Sequence, residues 1–298
     1  MFEDFRKFDE AFPYLVKGYP LNSFKGLEES RKNFWKHLAS DELNKREMVS
    51  DLIAEYARIC DAEKDRTLPK KLFSTAWAAQ SNTMVSAFWT IYFVTKHGDA
   101  KAAAEVEIQR LLKETSQTLN GKTPINFNRN DMDKMTVLDS IINESLRLHV
   151  SASMLRQALQ DYDLKVLSVG KTYRLRKGDR VMSLFELNHK DPEIYSNPEV
   201  FKYDRFLNED GSLKTDFYKN GKVVRFALQP FGSGLSKCPG RYWAVTELKQ
   251  IVILLLLYFD FELINPNEEI KMNKNRVAFG SLPPTNDPKI RFRRRVMT

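Results

Sequence analysis

The chain has 298 residues, 42% hydrophobic and 29% charged, and its 47 Lys and Arg against 39 Asp and Glu leave a net charge of +8. Length and balance are those of ordinary globular protein, one large domain or two small ones with ample core. Two cysteines, Cys60 and Cys238, exclude a disulfide framework and a CxxC zinc pattern, and suit a reducing compartment. His37, His97, His149 and His189 are far apart, form no HExxH, and read as structural or surface residues. Basic residues are scattered apart from the run Arg291 to Arg295, and no nucleic-acid motif accompanies them. Acidic partner surfaces or anionic membrane are the expected use of that charge, not nucleic acid.

The opening, Phe2 to Phe24, mixes aromatics with charge and is expected to break at Pro13 and Pro20. Apolar helical spacing is already under way at Met1, so it does not read as a natural domain start. Glu28 to Ala57 reads as helix with polar faces, and Asp61 to Pro69 as a charged linker. Lys71 to His97 lacks Gly and Pro. Leu72, Phe73, Ala76, Trp77, Met84, Val85, Phe88, Trp89, Tyr92 and Phe93 recur on most faces, which predicts one central buried helix. In its middle, Gln80-Ser81-Asn82-Thr83 puts four polar side chains where each needs a partner or a cavity. Helix–helix hydrogen bonding and a functional cavity both satisfy that demand.

Ala100 to Leu112 reads as a further helix, Asn120-Gly121 as a turn, and Asp131 to His149 as one amphipathic helix. Glu144 and Arg147 share a face of it; as an exposed pair they would contribute ~0–1 kcal/mol. Tyr162 to Ser168 and Thr172 to Arg176 alternate about Val169-Gly170 as a hairpin does, and Arg180 to Leu184 is a third strand. Ala278 to Pro284 is a Gly/Pro turn, followed by a strand from Ile290 to Arg294.

One stretch stands out: Phe231-Gly232-Ser233-Gly234-Leu235-Ser236-Lys237-Cys238-Pro239-Gly240-Arg241. Its glycines and Pro-Gly pair make an irregular loop. Tyr242 to Phe261 behind it reads as a long core helix, and its apolar run is shorter than the ~20 residues that cross a bilayer. A lone Cys is most often a small buried hydrophobe. Here it sits ahead of a helix N-terminus, where dipole and free N–H groups favour a thiolate, as an axial metal ligand requires. A phosphate-binding loop is excluded, because Lys237 stands at the third glycine position of the dinucleotide pattern and Gly-Lys-Ser/Thr is missing.

With Phe231, Gly234, Cys238 and Gly240 at the right spacing, the loop resembles the haem-binding loop of the haem-thiolate monooxygenases, the cytochrome P450 superfamily. Many members carry a basic residue two before the Cys, where this chain has Ser236. The resemblance implies a mainly helical α+β fold with small sheets and haem b as cofactor. Cys238 would be the axial thiolate, with Phe231, Gly240 and Arg156, the position of a propionate ligand, around the cofactor. It implies that Glu144 and Arg147 are a buried structural pair bonded to a meander resembling Phe201 to Phe206. The string Trp77 to Thr83 resembles the distal helix, with Thr83 and Asn82 as the catalytic pair, Asn standing where an acid is usual.

That string looks like the branch of sterol 7α-hydroxylases, sterol 12α-hydroxylase and prostacyclin synthase. The branch implies a sterol hydroxylated at C7 with O2 and electrons from NADPH–cytochrome P450 reductase, on the cytosolic face of the endoplasmic reticulum membrane. Trp77, Ala79, Phe279 and Leu282 would contact the sterol. The resemblance runs from Phe5 to Arg294 but covers only the later part of the family fold. Residues 1–298 are therefore expected to be a single, N-terminally truncated domain, without the membrane anchor and early helices. Two alternatives stand beside it. One is a prostacyclin synthase-type isomerase that needs no reductase, whose haem loop departs from Cys-Pro-Gly-Arg. The other is a non-catalytic, truncated haem-binding module.

Overall fold

The computed structural model describes residues 1–167 and 169–295. Its helices and short antiparallel sheets fall into two compact units, Met1 to Met84 and Val85 onward.

In the first unit lie α1 (Phe2–Val16), α2 (Leu27–His37), α3 (Ser40–Leu43), α4 (Asp51–Ala62) and α5 (Leu68–Gln80). Pro13 does not break α1 as expected. It removes only its own N–H, one turn from the helix end, and its ring is buried. The apolar face of α1 outweighs that loss: ring centroids lie 4.7 Å apart for Phe8–Phe73 and 4.1 Å for Phe12–Trp77. The expected helix from 28 to 57 is three helices. Asn44 to Ser50 holds only two adjacent apolar residues, the exposed Met48 and the half-buried Val49, too few to bury a helical face. Cys60 packs in a cluster with Leu43, Ala57, Leu68 and Leu72.

The expected continuous helix from 71 to 97 is also divided. α5 stops at Gln80 and α6 (Thr83–Lys96) begins after two intervening residues. The Ser81 N–H still reaches the Trp77 carbonyl at 2.9 Å. Ser and Asn are weaker helix formers than the residues on either side, so their cluster is where a long helix gives way.

The second unit is built on α6, α7 (Gly98–Glu114), α8 (Arg129–Asp133), α9 (Thr136–His149), α10 (Glu186–His189) and α11 (Arg241–Tyr258). Trp89 and Phe93 of α6, Ile108 and Leu111 of α7, Leu138 and Ile141 of α9, and Val252 and Leu256 of α11 share one core. The helix expected from Asp131 to His149 is interrupted at Lys134-Met135, and tertiary contact is the cause. The buried Glu107 carboxylate of α7 accepts from the N–H groups of Val137 and Leu138, each at 2.9 Å. Those donors open a new helix instead of continuing an old one.

The strands are β1 (Val150–Gln157), β2 (Tyr162–Val166), β3 (Lys171–Leu175), β4 (Arg180–Leu184), β5 (Tyr218–Lys219), β6 (Lys222–Val223), β7 (Phe259–Leu263), β8 (Phe279–Ser281) and β9 (Ile290–Arg294). The β2–β3 hairpin stands as expected, with Tyr162 opposite Leu175; Ser168 lies outside the described residues. Three features differ from expectation. β1, which was not foreseen, runs straight out of α9 and is the centre of a sheet in the order β4-β1-β8. The turn at 278–284 forms a strand, Ser281 pairing with Val150. The helix ahead of Phe261 ends at Tyr258, because Phe259 to Leu263 alternates inward Phe261 and Leu263 with Asp260 and Glu262. Those acids meet Arg293 and Arg291 of β9, each at 2.9 Å.

Candidate functional site

The loop that carries Cys238 is held by its own backbone. Gly232 and Gly234 adopt φ of +72° and +63°, conformations that only glycine takes without strain. The Cys238 N–H donates to the Phe231 carbonyl at 2.9 Å, closing the loop on the aromatic seven residues earlier. Phe231 packs against the core cluster of Ile142, Leu146 and Leu248. Gly240 precedes the first residue of α11, and a Cβ there would lie in ordinary contact, 3.9 Å from the Cys238 sulfur, so the glycine leaves that side of the thiol open. The Arg241 guanidinium donates to the Cys238 carbonyl at 3.0 Å. Cys238 is half-buried and unbridged, in contrast to the buried Cys60 of the first unit.

Arg156 leaves β1 at an exposed position, and its guanidinium donates to the Ser236 hydroxyl at 3.1 Å. The position two before the cysteine, where a basic residue is common in the family the loop resembles, is thus served by an arginine from another strand.

Behind the loop lies a buried ion network that sequence spacing foresaw in part. Arg147 forms a two-pronged bond to Glu144, at 2.7 and 2.9 Å, and neither side chain is exposed. Glu144 also accepts from Arg205 at 2.8 Å and from the Lys202 N–H at 3.1 Å. One carboxylate therefore balances two guanidiniums, whose remaining N–H groups go to main-chain carbonyls. Arg147 takes those of His189 and Pro198, each at 2.6 Å, and Arg205 takes Ser196 at 2.7 Å and Val200 at 2.9 Å. Every strong donor has an acceptor, as burial demands. Arg205 lies in the expected partner segment Phe201 to Phe206, but nothing in local spacing marks it as the third member.

His189 joins this network to the loop. Its carbonyl accepts from Arg147, and its ring Nε2 accepts from the Gln229 N–H at 2.9 Å, two residues before Phe231. Burial, with Arg147 adding its charge, depresses the His189 pKa to about 4. Burial likewise lowers that of His149 to about 3. Neither ring is the surface residue that sequence allowed as one option. The sign of the pH effect follows. Unfolded, each imidazole takes a proton near its ordinary 6.5; folded, it stays neutral to well below that. Acidification through the window from about 6.5 to about 4 therefore favours the unfolded state, by up to ~2.7 kcal/mol per pH unit for two histidines. Urea midpoints measured across this window are expected to fall, and His189→Gln should flatten the slope by up to half. A midpoint independent of pH there would contradict the neutral assignment.

The remaining expected residues divide between the units. In the second, Phe279 is half-buried in β8 and Leu282 follows it, buried. In the first, Thr83 is buried at the start of α6, and Asn82 lies in the break before it. Trp77 packs edge-on to Phe8 and over Phe12, and its indole N–H donates to Asp9 at 3.0 Å; Ala79 is half-buried two residues on. Among the described residues no cluster of His, Cys, Asp and Glu could hold a metal ion, and no helix is long and apolar enough to cross a membrane.

The donor set suits a flat metallocofactor that carries acidic groups. It offers one soft thiol on a rigid loop, an aromatic ring beside it and a cationic guanidinium at the loop's edge. A family model described as Cytochrome P450 matches residues 17–290. The chain is 36% identical to the cholesterol 7-alpha-monooxygenase of Cricetulus griseus, over 97% of this chain and 58% of that protein. It is 35% identical to the 25-hydroxycholesterol 7-alpha-hydroxylase of Rattus norvegicus, over 98% of this chain and 70% of that one. Among solved structures, the crystal structure of a cytochrome P450 aligns with TM-score 0.66 and 22% identity, covering 89% of this chain and 55% of the other. The chain thus spans about three-fifths of the length of the first curated relatives it matches, 58% in the case of the Sus scrofa protein.

Proposed function

The chain belongs to the cytochrome P450 family, and from that premise we propose that the protein is a monooxygenase that hydroxylates a sterol at C7. The observation that carries this reading is identity of 35–36% along nearly the whole chain to proteins named for 7α-hydroxylation of cholesterol and 25-hydroxycholesterol. The chemistry of the family resides in haem b, which when bound supplies dioxygen activation and oxygen insertion into a C–H bond.

The protein's part is to hold and to exclude. Cys238 would hold the iron through its sulfur, with the loop closed onto Phe231 by the Cys238 N–H. Phe231 would lie beside the cofactor, and Gly240 would leave the thiolate side uncrowded. Arg156, already bonded to Ser236, would supply a cation for an acidic group of the cofactor. Thr83 holds a proton on its hydroxyl at the start of α6. Asn82 orients hydrogen bonds there without ionising, since an amide has no proton to relay at neutral pH. Phe279 presents apolar surface to a neutral, rigid ligand, and the buried Leu282 anchors the segment that carries it. Apolar burial contributes roughly 25 cal/mol per Å² before the entropy lost on binding. Electrons come from NADPH–cytochrome P450 reductase, and the endoplasmic reticulum membrane delivers the lipid.

The test is to offer cholesterol, 25-hydroxycholesterol and a saturated fatty acid separately to the haem-loaded protein with reductase and NADPH. The expected result is a substrate-induced haem spectral shift with at least one sterol and a single hydroxylated product at C7. Turnover of the fatty acid, with neither sterol shifting the spectrum, would overturn the sterol assignment.

A further inference from the structure

Behind the Phe279–Leu282 segment lies a chain of buried polar side chains that the proposed reaction does not use. His149 Nδ1 lies 2.6 Å from the Ser145 carbonyl, one turn back on α9. A carbonyl only accepts, so Nδ1 carries the proton and Nε2 of the neutral ring is a bare acceptor. Ser86 Oγ of α6 lies 3.0 Å from Nε2 and therefore donates to it. Having one proton, Ser86 then accepts from Ser281 Oγ of β8, 3.1 Å away. The roles are fixed in one direction: Ser281 to Ser86 to His149 to the Ser145 carbonyl. His149, Ser86 and Ser281 are at most 4% exposed, so water does not compete for these bonds.

Other contacts fasten the same segment. The indole N–H of Trp89, one turn along α6, donates to the Leu282 carbonyl at 2.7 Å. The Leu282 N–H donates to the His149 carbonyl at 3.0 Å. Ala278, at the head of the segment, has φ of +74°, which a residue with a Cβ rarely adopts. It is held there by Ser151, whose hydroxyl accepts from its N–H at 3.3 Å, and by Ser153, which donates to its carbonyl at 2.9 Å. A strained backbone fixed by surrounding bonds on two sides has one position, not a range of them.

We propose that Ser86, Trp89 and His149 are positioning residues that clamp the Phe279–Leu282 segment to α6 and α9, and so decide which substrate carbon is oxidised. The proposal rests on the reading that this segment faces substrate. It adds that the specificity of the segment is set from behind, by side chains that never touch the ligand.

The experiment compares the unmodified haem-loaded protein with Ser86→Ala, Trp89→Phe and Ser86→Thr, which keeps the hydroxyl. Amide hydrogen exchange at Ser281 and Leu282 is expected to speed up about tenfold in Ser86→Ala and Trp89→Phe, and to recover in Ser86→Thr. Amides of α11 and the carbon-monoxide spectrum should not change. With the sterol that binds, the C7 product should give way to a mixture in the two disruptive variants and return in Ser86→Thr. Should neither sterol bind the unmodified protein, the sterol reading fails. The clamp is then decided by the exchange data and by the positional ratio of the products from the fatty acid. Should Ser86→Ala fail to fold, the imidazole nitrogen signals of labelled unmodified protein decide the bond direction, and Trp89→Phe decides the specificity. A protonated Nε2, unchanged exchange in Trp89→Phe, or faster exchange with an unchanged product pattern would each overturn the proposal.

Discussion

Replacing Cys238 by alanine is expected to abolish the thiolate-type spectrum of the reduced carbon-monoxide complex, and turnover with it. The strong push of a thiolate onto haem iron has no substitute among the neighbouring side chains. Ser236 is engaged by Arg156, and the Lys237 ammonium has no lone pair to offer. The other cysteine, Cys60, is buried in the cluster of Leu43, Ala57, Leu68 and Leu72 and belongs to the first unit, whereas Cys238 belongs to the second. Cys60→Ala should therefore leave the spectrum as it was, with only the modest stability loss of a small cavity, ~1–2 kcal/mol. Difference spectra of both variants check this. A normal spectrum from Cys238→Ala would falsify the assignment of the ligand.

Removing the Glu144 carboxylate should sharply deplete folded protein at ordinary temperatures. Glu144→Ala leaves the guanidiniums of Arg147 and Arg205 buried with no counter-charge, and the Lys202 N–H without its acceptor. Breaking such a pair by deleting one partner costs about 3–5 kcal/mol. Here two cations share the carboxylate, so the upper end of that range applies. Against a total of about 5–15 kcal/mol for a native protein, that is enough to deplete it. Glu144→Gln keeps the shape and two acceptor positions but not the charge, and should fall between. Soluble haem-loaded yield and urea midpoints provide the measure. If Glu144→Ala folds with an unshifted midpoint and loses only turnover, the residue acts in the chemistry instead.

The parts of this protein that depend on neighbours in sequence were legible there. Phe231 and Cys238 close one loop through a bond between residues seven apart, and Gly232 and Gly234 supply conformations that other residues resist. Glu144 and Arg147 share a helix face because the α-helix repeats every 3.6 residues. The hairpin of β2 and β3 turns at Val169-Gly170, where alternation pauses.

What the sequence did not disclose was decided by partners far along the chain. α9 begins at Thr136 because Glu107, some thirty residues earlier, captures its first N–H groups. Arg205 becomes the second cation on Glu144 across sixty-one residues. Ser281 meets Ser86 across one hundred and ninety-five. Composition, periodicity and spacing carry the local preferences of the backbone, and those preferences determined the Cys238 loop, the ion-pair spacing and the hairpin. A buried charge or hydroxyl must find an acceptor wherever the fold provides one. Only the tertiary structure could decide which of several hundred residues that would be, because the penalty for leaving such a group unpaired acts through space and not along the chain.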